Sequence, residues 1–169
     1  MGLPDPRTLG SKNPGATNVL RIGGKQAAVI VLFGDALKGF IPVFLAHMLG
    51  ITHFALGLVA LAALLGHIYP LFFDFQGGKG VATGIGAIFG ISFVLGLVAI
   101  ISWGIVAFIS RYIAYASCAA ICVATLLSPL ITGQFGYFIP LLIISFFVVW
   151  RHQDNFQRIR AGTEKRIGE

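Results

Sequence analysis

Charge is what this sequence has least of. Of 169 residues, 11% are Asp, Glu, Lys or Arg and 57% are hydrophobic, with a mean hydropathy of +0.89. That balance excludes an ordinary soluble domain and indicates an integral membrane protein. Acidic residues are the scarcer sign, six against twelve Lys and Arg. The resulting excess of +6 attracts anionic lipid or a soluble anion and does not by itself choose between them. Cysteine is nearly absent too. Cys118 and Cys122 stand four apart in an apolar run without His or acidic company, which reads as packing. The start, "MGLPDPRTLG", has no apolar stretch, so no cleavable signal peptide is expected.

What is abundant is apolar sequence in blocks. Gln26 to Leu49, Phe54 to Phe73, Ile113 to Ile131 and Phe135 to Trp150 each fit or nearly fit the roughly 20 residues of an upright span. The run from Val81 to Ile109 is too long for one ordinary span and short for two. Charge decides it. Basic loops mark the cytoplasmic side, and Arg7 to Lys25, Lys79, Arg111 and the tail from Arg151 share one side only if this run is a hairpin, bending near Leu95 to Leu97. The short turns Gly50 to His53 and Thr132 to Gln134 carry neither Lys nor Arg, as external loops should. The expected fold is an all-α, polytopic bundle of about six membrane helices. It forms a single domain, residues 1–169, with both termini and the polar loops in the cytoplasm.

The polar chemistry gathers in segments on that side. The first, "GSKNPGATNVLRIGGK" (Gly10 to Lys25), reads as a Gly- and Pro-broken loop before a helix beginning near Gln26; it holds Ser11, Asn13, Thr17, Asn18 and Arg21. Such a segment could be a basic linker, but a linker has no need of those four short polar side chains together. The second, "GHIYPLFFDFQGGKGVAT" (Gly66 to Thr83), puts Gly77, Gly78, Lys79 and Gly80 before an apolar helix. Backbone N–H groups entering a helix can face an anion, with Lys79 neutralising charge beside them. Gly84, Gly86 and Gly90 read instead as close helix contacts. The third group is split between "SRYIAYAS" (Ser110 to Ser117) and the tail from Arg151. There His152 and Asn155 would share a face if the last helix continued. Arg158, Arg160, Lys165 and Arg166 could be no more than positive-inside charges, and Glu164 is the odd acidic residue among them.

Two familiar glycine motifs are excluded. "GGKG" and "GGKQ" lack the hydroxyl residue that follows the lysine of a P-loop, and "GIGAIFG" has the wrong spacing for a dinucleotide fingerprint and lies inside a membrane helix. No cofactor, no metal and no nucleic-acid partner is expected. No His is followed five residues later by Asp, so a His-x4-Asp acyltransferase centre is unsupported.

In order and spacing, "GSKNPGATNVLRIGGK", "GHIYPLFFDFQGGKGVAT", "SRYIAYAS" and the tail with its "GTEKRIG" resemble the motifs of the bacterial acyl-phosphate-dependent glycerol-3-phosphate acyltransferases, from about Leu9 to Gly168. The resemblance implies an inner-membrane enzyme moving a fatty acyl group from acyl phosphate to the 1-position of glycerol 3-phosphate. Lysophosphatidic acid and phosphate would be the products, in phospholipid synthesis, with a separate enzyme supplying acyl phosphate. Matching positions imply a glycerol-3-phosphate pocket of Ser11, Asn13, Thr17, Asn18 and Arg21, reached by His152 and Asn155. They imply an acyl-phosphate pocket of Gly77, Gly78, Lys79 and Gly80, with Ser110, Arg111 and Ser117. Lys79, Arg111, His152 and Asn155 are the expected catalytic groups. His152 is the leading side-chain base because imidazole ordinarily titrates near neutrality, with the substrate's own phosphate as its rival.

The match has departures. The family implies a further membrane helix before Gly10, and this chain has about nine residues there. Lys12 stands where glycine is usual, and Ala114 where serine is common. Asp35 and Lys38, three apart inside the first span, are expected to pair, since an unpaired charge there is costly. A membrane transporter or channel for a phosphorylated metabolite is the alternative from another class. It would share the anion pockets, but no inverted repeat is evident.

Overall fold

The computed structural model describes residue 2 and residues 4–169, and among these every regular element is helical. In chain order the helices are α1 (Ala16–Met48), α2 (His53–Ile68), α3 (Val81–Ile91), α4 (Phe93–Ser110), α5 (Ile113–Thr132), α6 (Phe138–Trp150) and α7 (Gln153–Arg160). Single 3-10 turns lie at Leu71–Phe73 and Phe135–Tyr137. The segments Ala16–Met48, His53–Phe73, Phe93–Ser110 and Ile113–Thr132 are long and apolar enough to cross a membrane. Phe135–Trp150 follows, bent by 45° from the charged α7. At 11 residues α3 rises only about 16 Å, roughly half the hydrocarbon core.

The expected hairpin is present, but it turns at Ser92 rather than at Leu95 to Leu97. Ser92 takes an extended backbone, and its hydroxyl accepts from the Leu95 amide at 3.4 Å, capping α4. Helix also starts earlier than the sequence suggested. Gly15 caps α1, so Ala16 to Arg21 form helix rather than loop, and the break falls at Gly24, whose φ of 80° is open to glycine. Thr17 and Arg21 are thereby four apart on one helical face.

The interior is built around α2, α3 and α6. Leu56, Leu64, Ile68, Ile88, Ile121, Leu141 and Ile144 are fully buried in one cluster. Side chains such as Phe108 and Leu130 point outward, as lipid-facing residues do. Where α1 crosses α3 the backbones touch: a Cβ on Gly39 would meet the Thr83 carbonyl, and one on Gly86 the Ala36 carbonyl. Between α5 and α6, Thr125 Oγ1 donates to the Leu141 carbonyl at 3.2 Å and lies 2.8 Å from Ser145 Oγ. Interhelical hydrogen bonds of this kind replace the hydrophobic drive that lipid removes. The Asp35–Lys38 pair forms at 3.0 Å, and His67 Nδ1 adds a second partner 3.5 Å from the same Asp35 oxygen.

Candidate functional site

One cavity of about 550 Å³ opens at the face that carries the N-terminal loop, the Gly77–Gly80 turn and α7. Its polar arm is lined by Ser11, Asn13, Thr17, Asn18, Arg21, Lys79, Gly80, Ser117, His152, Asn155, Arg158, Glu164 and Lys165. Its apolar arm runs between α1, α3 and α4, past Leu32, Phe33, Ile85, Phe89, Ile100 and Trp103, and Asp35 and His67 also stand on the cavity wall.

Each helix end delivers its residues for a local reason. Gly77 is clamped to the end of α2: its amide donates to the Ile68 carbonyl at 3.1 Å, and a Cβ there would strike the His67 carbonyl. Gly78 lies flat on the His67 ring, where a Cβ would hit Nε2. Gly80 then takes φ of 79° as the N-cap of α3. The first N–H groups of α3 have no partners within the helix, and Gly80, Val81 and Ala82 line the cavity. Gly77's own amide is occupied, so the anion-facing part of this turn starts after it.

Lys79 Nζ donates to Asn155 Oδ1. Asn155 Nδ2 donates to Glu164 Oε1 at 2.8 Å, and Arg158 Nε donates to Glu164 Oε2 at 2.6 Å. A network thus links the Gly-rich turn, α7 and the C-terminal tail. Burial, followed by the charge of Arg158, pulls the Lys79 ammonium down to about 8. A cation held at such cost, beside further cations, is a ready partner for an anion.

His152 is buried at the N-cap of α7, and its Nδ1 donates to the Val148 carbonyl at 2.7 Å, leaving Nε2 for the cavity. The bend between α6 and α7 means that His152 and Asn155 do not lie on a continued last helix, yet both line the cavity. Burial, then the charge of Lys79, pushes His152 down to about 4. An imidazole in that state is a weak base, so the argument from its ordinary pKa of 6.5 does not carry over to this site. The shift has a stability consequence. Between about pH 6.5 and 4 the unfolded chain binds the proton and the folded chain resists it, so stability is full above 6.5 and lost as pH falls towards 4. The thermal midpoint in detergent should therefore drop over that window, and His152→Asn should flatten the drop.

Other expected residues do different work. Asn18 lines the cavity, but its amide holds the preceding loop: Nδ2 donates to the carbonyls of Pro6 and Leu9, at 2.9 and 3.0 Å, and Oδ1 accepts from the Ser11 amide at 2.9 Å. Ser110 and Arg111 do not line the cavity. Ser110 Oγ donates to the Val106 carbonyl at 2.6 Å and accepts from the Tyr112 amide at 3.1 Å, shaping the α4–α5 turn. Arg111 exchanges hydrogen bonds with the tail: Ile167 N donates to its carbonyl at 2.8 Å, and its Nη2 donates to the Ile167 carbonyl at 3.3 Å. Arg158 and Lys165, which the sequence allows to be no more than positive-inside charges, line the cavity, and so does Glu164. The one signal was Glu164, an acid among cations.

Comparison with known proteins identifies the family. A family model described as glycerol-3-phosphate acyltransferase matches residues 1–162. Curated glycerol-3-phosphate acyltransferases of Coxiella burnetii (strain RSA 493 / Nine Mile phase I) and Legionella pneumophila (strain Paris) are each 49% identical to the chain. The first match covers 99% of this chain and 86% of the relative, the second 98% and 60%. Among solved structures, the integral membrane glycerol 3-phosphate acyltransferase PlsY in its glycerol 3-phosphate form superposes with a TM-score of 0.91. It is 40% identical, over 98% of this chain and 83% of that one. Its lysophosphatidic acid form gives 0.85 at 39% identity, over 92% and 80%.

Proposed function

The chain belongs to the glycerol-3-phosphate acyltransferase family, and from that premise we propose that it transfers a fatty acyl group from acyl phosphate to the 1-hydroxyl of glycerol 3-phosphate. The observation that carries the reading is one cavity whose wall carries both a polar group of side chains, the half-buried Lys79 among them, and an apolar stretch. The two arms suit the two substrates, a small soluble dianion and an acyl chain ending in phosphate. Ser11, Asn13, Thr17 and Arg21 serve the glycerol phosphate, with Asn18 shaping their loop. Lys79, Gly80 and the α3 N-terminus serve the acyl phosphate, with Ser117 on the opposite wall.

In the reaction the glycerol 1-oxygen forms an ester bond to the acyl carbon, and the bond from that carbon to the phosphate oxygen breaks. The hydroxyl proton passes to a phosphate oxygen of glycerol 3-phosphate, and orthophosphate departs. A mixed anhydride already carries a good leaving group, so positioning and charge stabilisation supply most of the rate. Lys79 faces the phosphate that gains charge. The low basicity of His152 favours the glycerol phosphate itself as the proton acceptor, leaving His152 to orient the substrate through Nε2.

The protein is a multi-pass membrane acyltransferase. The clustering of Lys and Arg supports an inner-membrane orientation with termini and site in the cytoplasm, where a separate enzyme would supply acyl phosphate. The test is a donor comparison: purified protein, glycerol 3-phosphate, and either acyl phosphate or acyl-CoA. Lysophosphatidic acid should form from acyl phosphate and not from acyl-CoA. Product from acyl-CoA alone would remove the donor assignment.

A further inference from the structure

Beside the cavity lies a second hollow, a polar cleft of about 330 Å³ lined by Ser11, Lys12, Asn13, Gly77, Lys79, Trp150, Arg151, Gln153, Asp154 and Arg158. It shares Ser11, Asn13, Lys79 and Arg158 with the cavity, so those side chains form a common wall. None of the apolar residues between α1, α3 and α4 reaches it, and Trp150 is its one large apolar side chain among the described residues. Its chemistry is therefore that of a small, free ion rather than of an acyl chain.

The charge inside points to the sign of that ion. Lys12, Lys79, Arg151 and Arg158 converge on the cleft against the single carboxylate of Asp154. Glu164, the nearest other acid, is already engaged by Arg158 and Asn155. Arg151 reaches the Gly77 carbonyl through Nη2 at 3.4 Å, while its buried Nε has no hydrogen-bond partner among the described residues. That N–H is closed off from the cleft, so it is the outer guanidinium nitrogens of Arg151 that can meet an anion there. Lys12 approaches from the N-terminal loop with φ of 55°, a conformation that would suit glycine better than lysine.

We propose that this cleft is a separate subsite for a phosphate anion, where the orthophosphate released by transfer is held on its way out of the cavity. The inference rests on acyl phosphate being the donor, because only that reaction frees orthophosphate beside Lys79. The common wall gives it a physical basis: Lys79 and Arg158 can keep contact with the anion as it passes from one hollow to the other.

The probe is inorganic phosphate, read as inhibition of acyl transfer and as a shift of the thermal midpoint in the absence of substrates. Lys12→Gly relieves the left-handed backbone, so folding is spared. It should raise the inhibition constant for orthophosphate about fivefold by removing one charge-assisted contact. Asp154→Asn should lower the same constant two- to threefold, the opposite sign, by removing the cleft's one repulsive group. In both variants the KM for glycerol 3-phosphate should stay within about twofold of the parent. Unchanged inhibition in both variants would put orthophosphate back in the cavity and overturn the subsite. A KM for glycerol 3-phosphate that moves in step with the inhibition constant would make the cleft the acceptor's phosphate site, and would overturn the assignment to orthophosphate. A phosphate-induced thermal shift that weakens in Lys12→Gly, in a protein that makes no product from acyl phosphate, would sink the donor assignment while the anion site stands.

Discussion

Lys79→Ala should lower kcat/KM for transfer from acyl phosphate by about 10³-fold, the scale of losing a principal transition-state charge donor. The size follows from the position. Lys79 is half-buried on the cavity wall, bonded to Asn155, and no other cation lies on both the Gly-rich turn and that wall. Two controls separate chemistry from folding. Because burial holds the ammonium down to about 8, the folded state resists its charge at neutral pH, so Lys79→Met should keep or raise the thermal midpoint while activity is lost. In the parent, kcat/KM should fall as pH rises through about 8, where the free enzyme gives up the Lys79 proton. Any activity left in Lys79→Arg should not show that fall, because guanidinium keeps its charge. Near-normal turnover by the alanine variant would remove Lys79 from the site.

Gly86→Val and Gly39→Val should each prevent recovery of folded protein. At both positions a Cβ would run into the backbone of the facing helix, the Ala36 carbonyl for Gly86 and the Thr83 carbonyl for Gly39. Backbone cannot step aside as a side chain end can, so α1 and α3 must separate. The cost is at least the 1–3 kcal/mol or so typical of overpacking at each site, and lipid offers no hydrophobic drive to offset it. Gly84→Ala is the contrast. Its Cβ would come 3.1 Å from Ile121 Cδ1, the movable end of a side chain, and the protein should remain folded and active. Yield in detergent and the thermal midpoint decide the matter. A stable, active Gly86→Val protein would show that the two helices need not touch there.

The span-length helices were legible because lipid demands long apolar runs, and the hairpin because basic residues must share a side. Where the hairpin turns was not legible. Every residue from Val81 to Ile109 suits a buried environment, and hydropathy does not register that one hydroxyl, on Ser92, caps a helix. The motifs pointed to Ser11, Thr17, Lys79 and Asn155, and the fold brings all four to the wall of one cavity. It did not foresee that Asn18 would spend its amide on Pro6, Leu9 and Ser11, or that Arg111 would turn to the tail. The first depends on how the N-terminal loop folds back onto α1, the second on a tail far away in the chain. The weak basicity of His152 also has a distant origin, since it comes from burial and from Lys79, 73 positions earlier by subtraction of the residue numbers. Glu164 was visible as an anomaly, but only the fold shows it holding Asn155 and Arg158 together.

The brevity of α3 has a kinetic meaning. The helix packs chiefly on α1, while α4 packs chiefly on α5 and hardly touches α1, and the apolar part of the cavity lies between α1, α3 and α4. An apolar substrate can then arrive sideways from the bilayer while its water-soluble partner arrives from above, so the two supplies obey different dimensionalities. Saturation by the apolar one is set by its mole fraction in the membrane, and diluting the bilayer with inert lipid at constant bulk concentration should slow the enzyme as though substrate had been withdrawn.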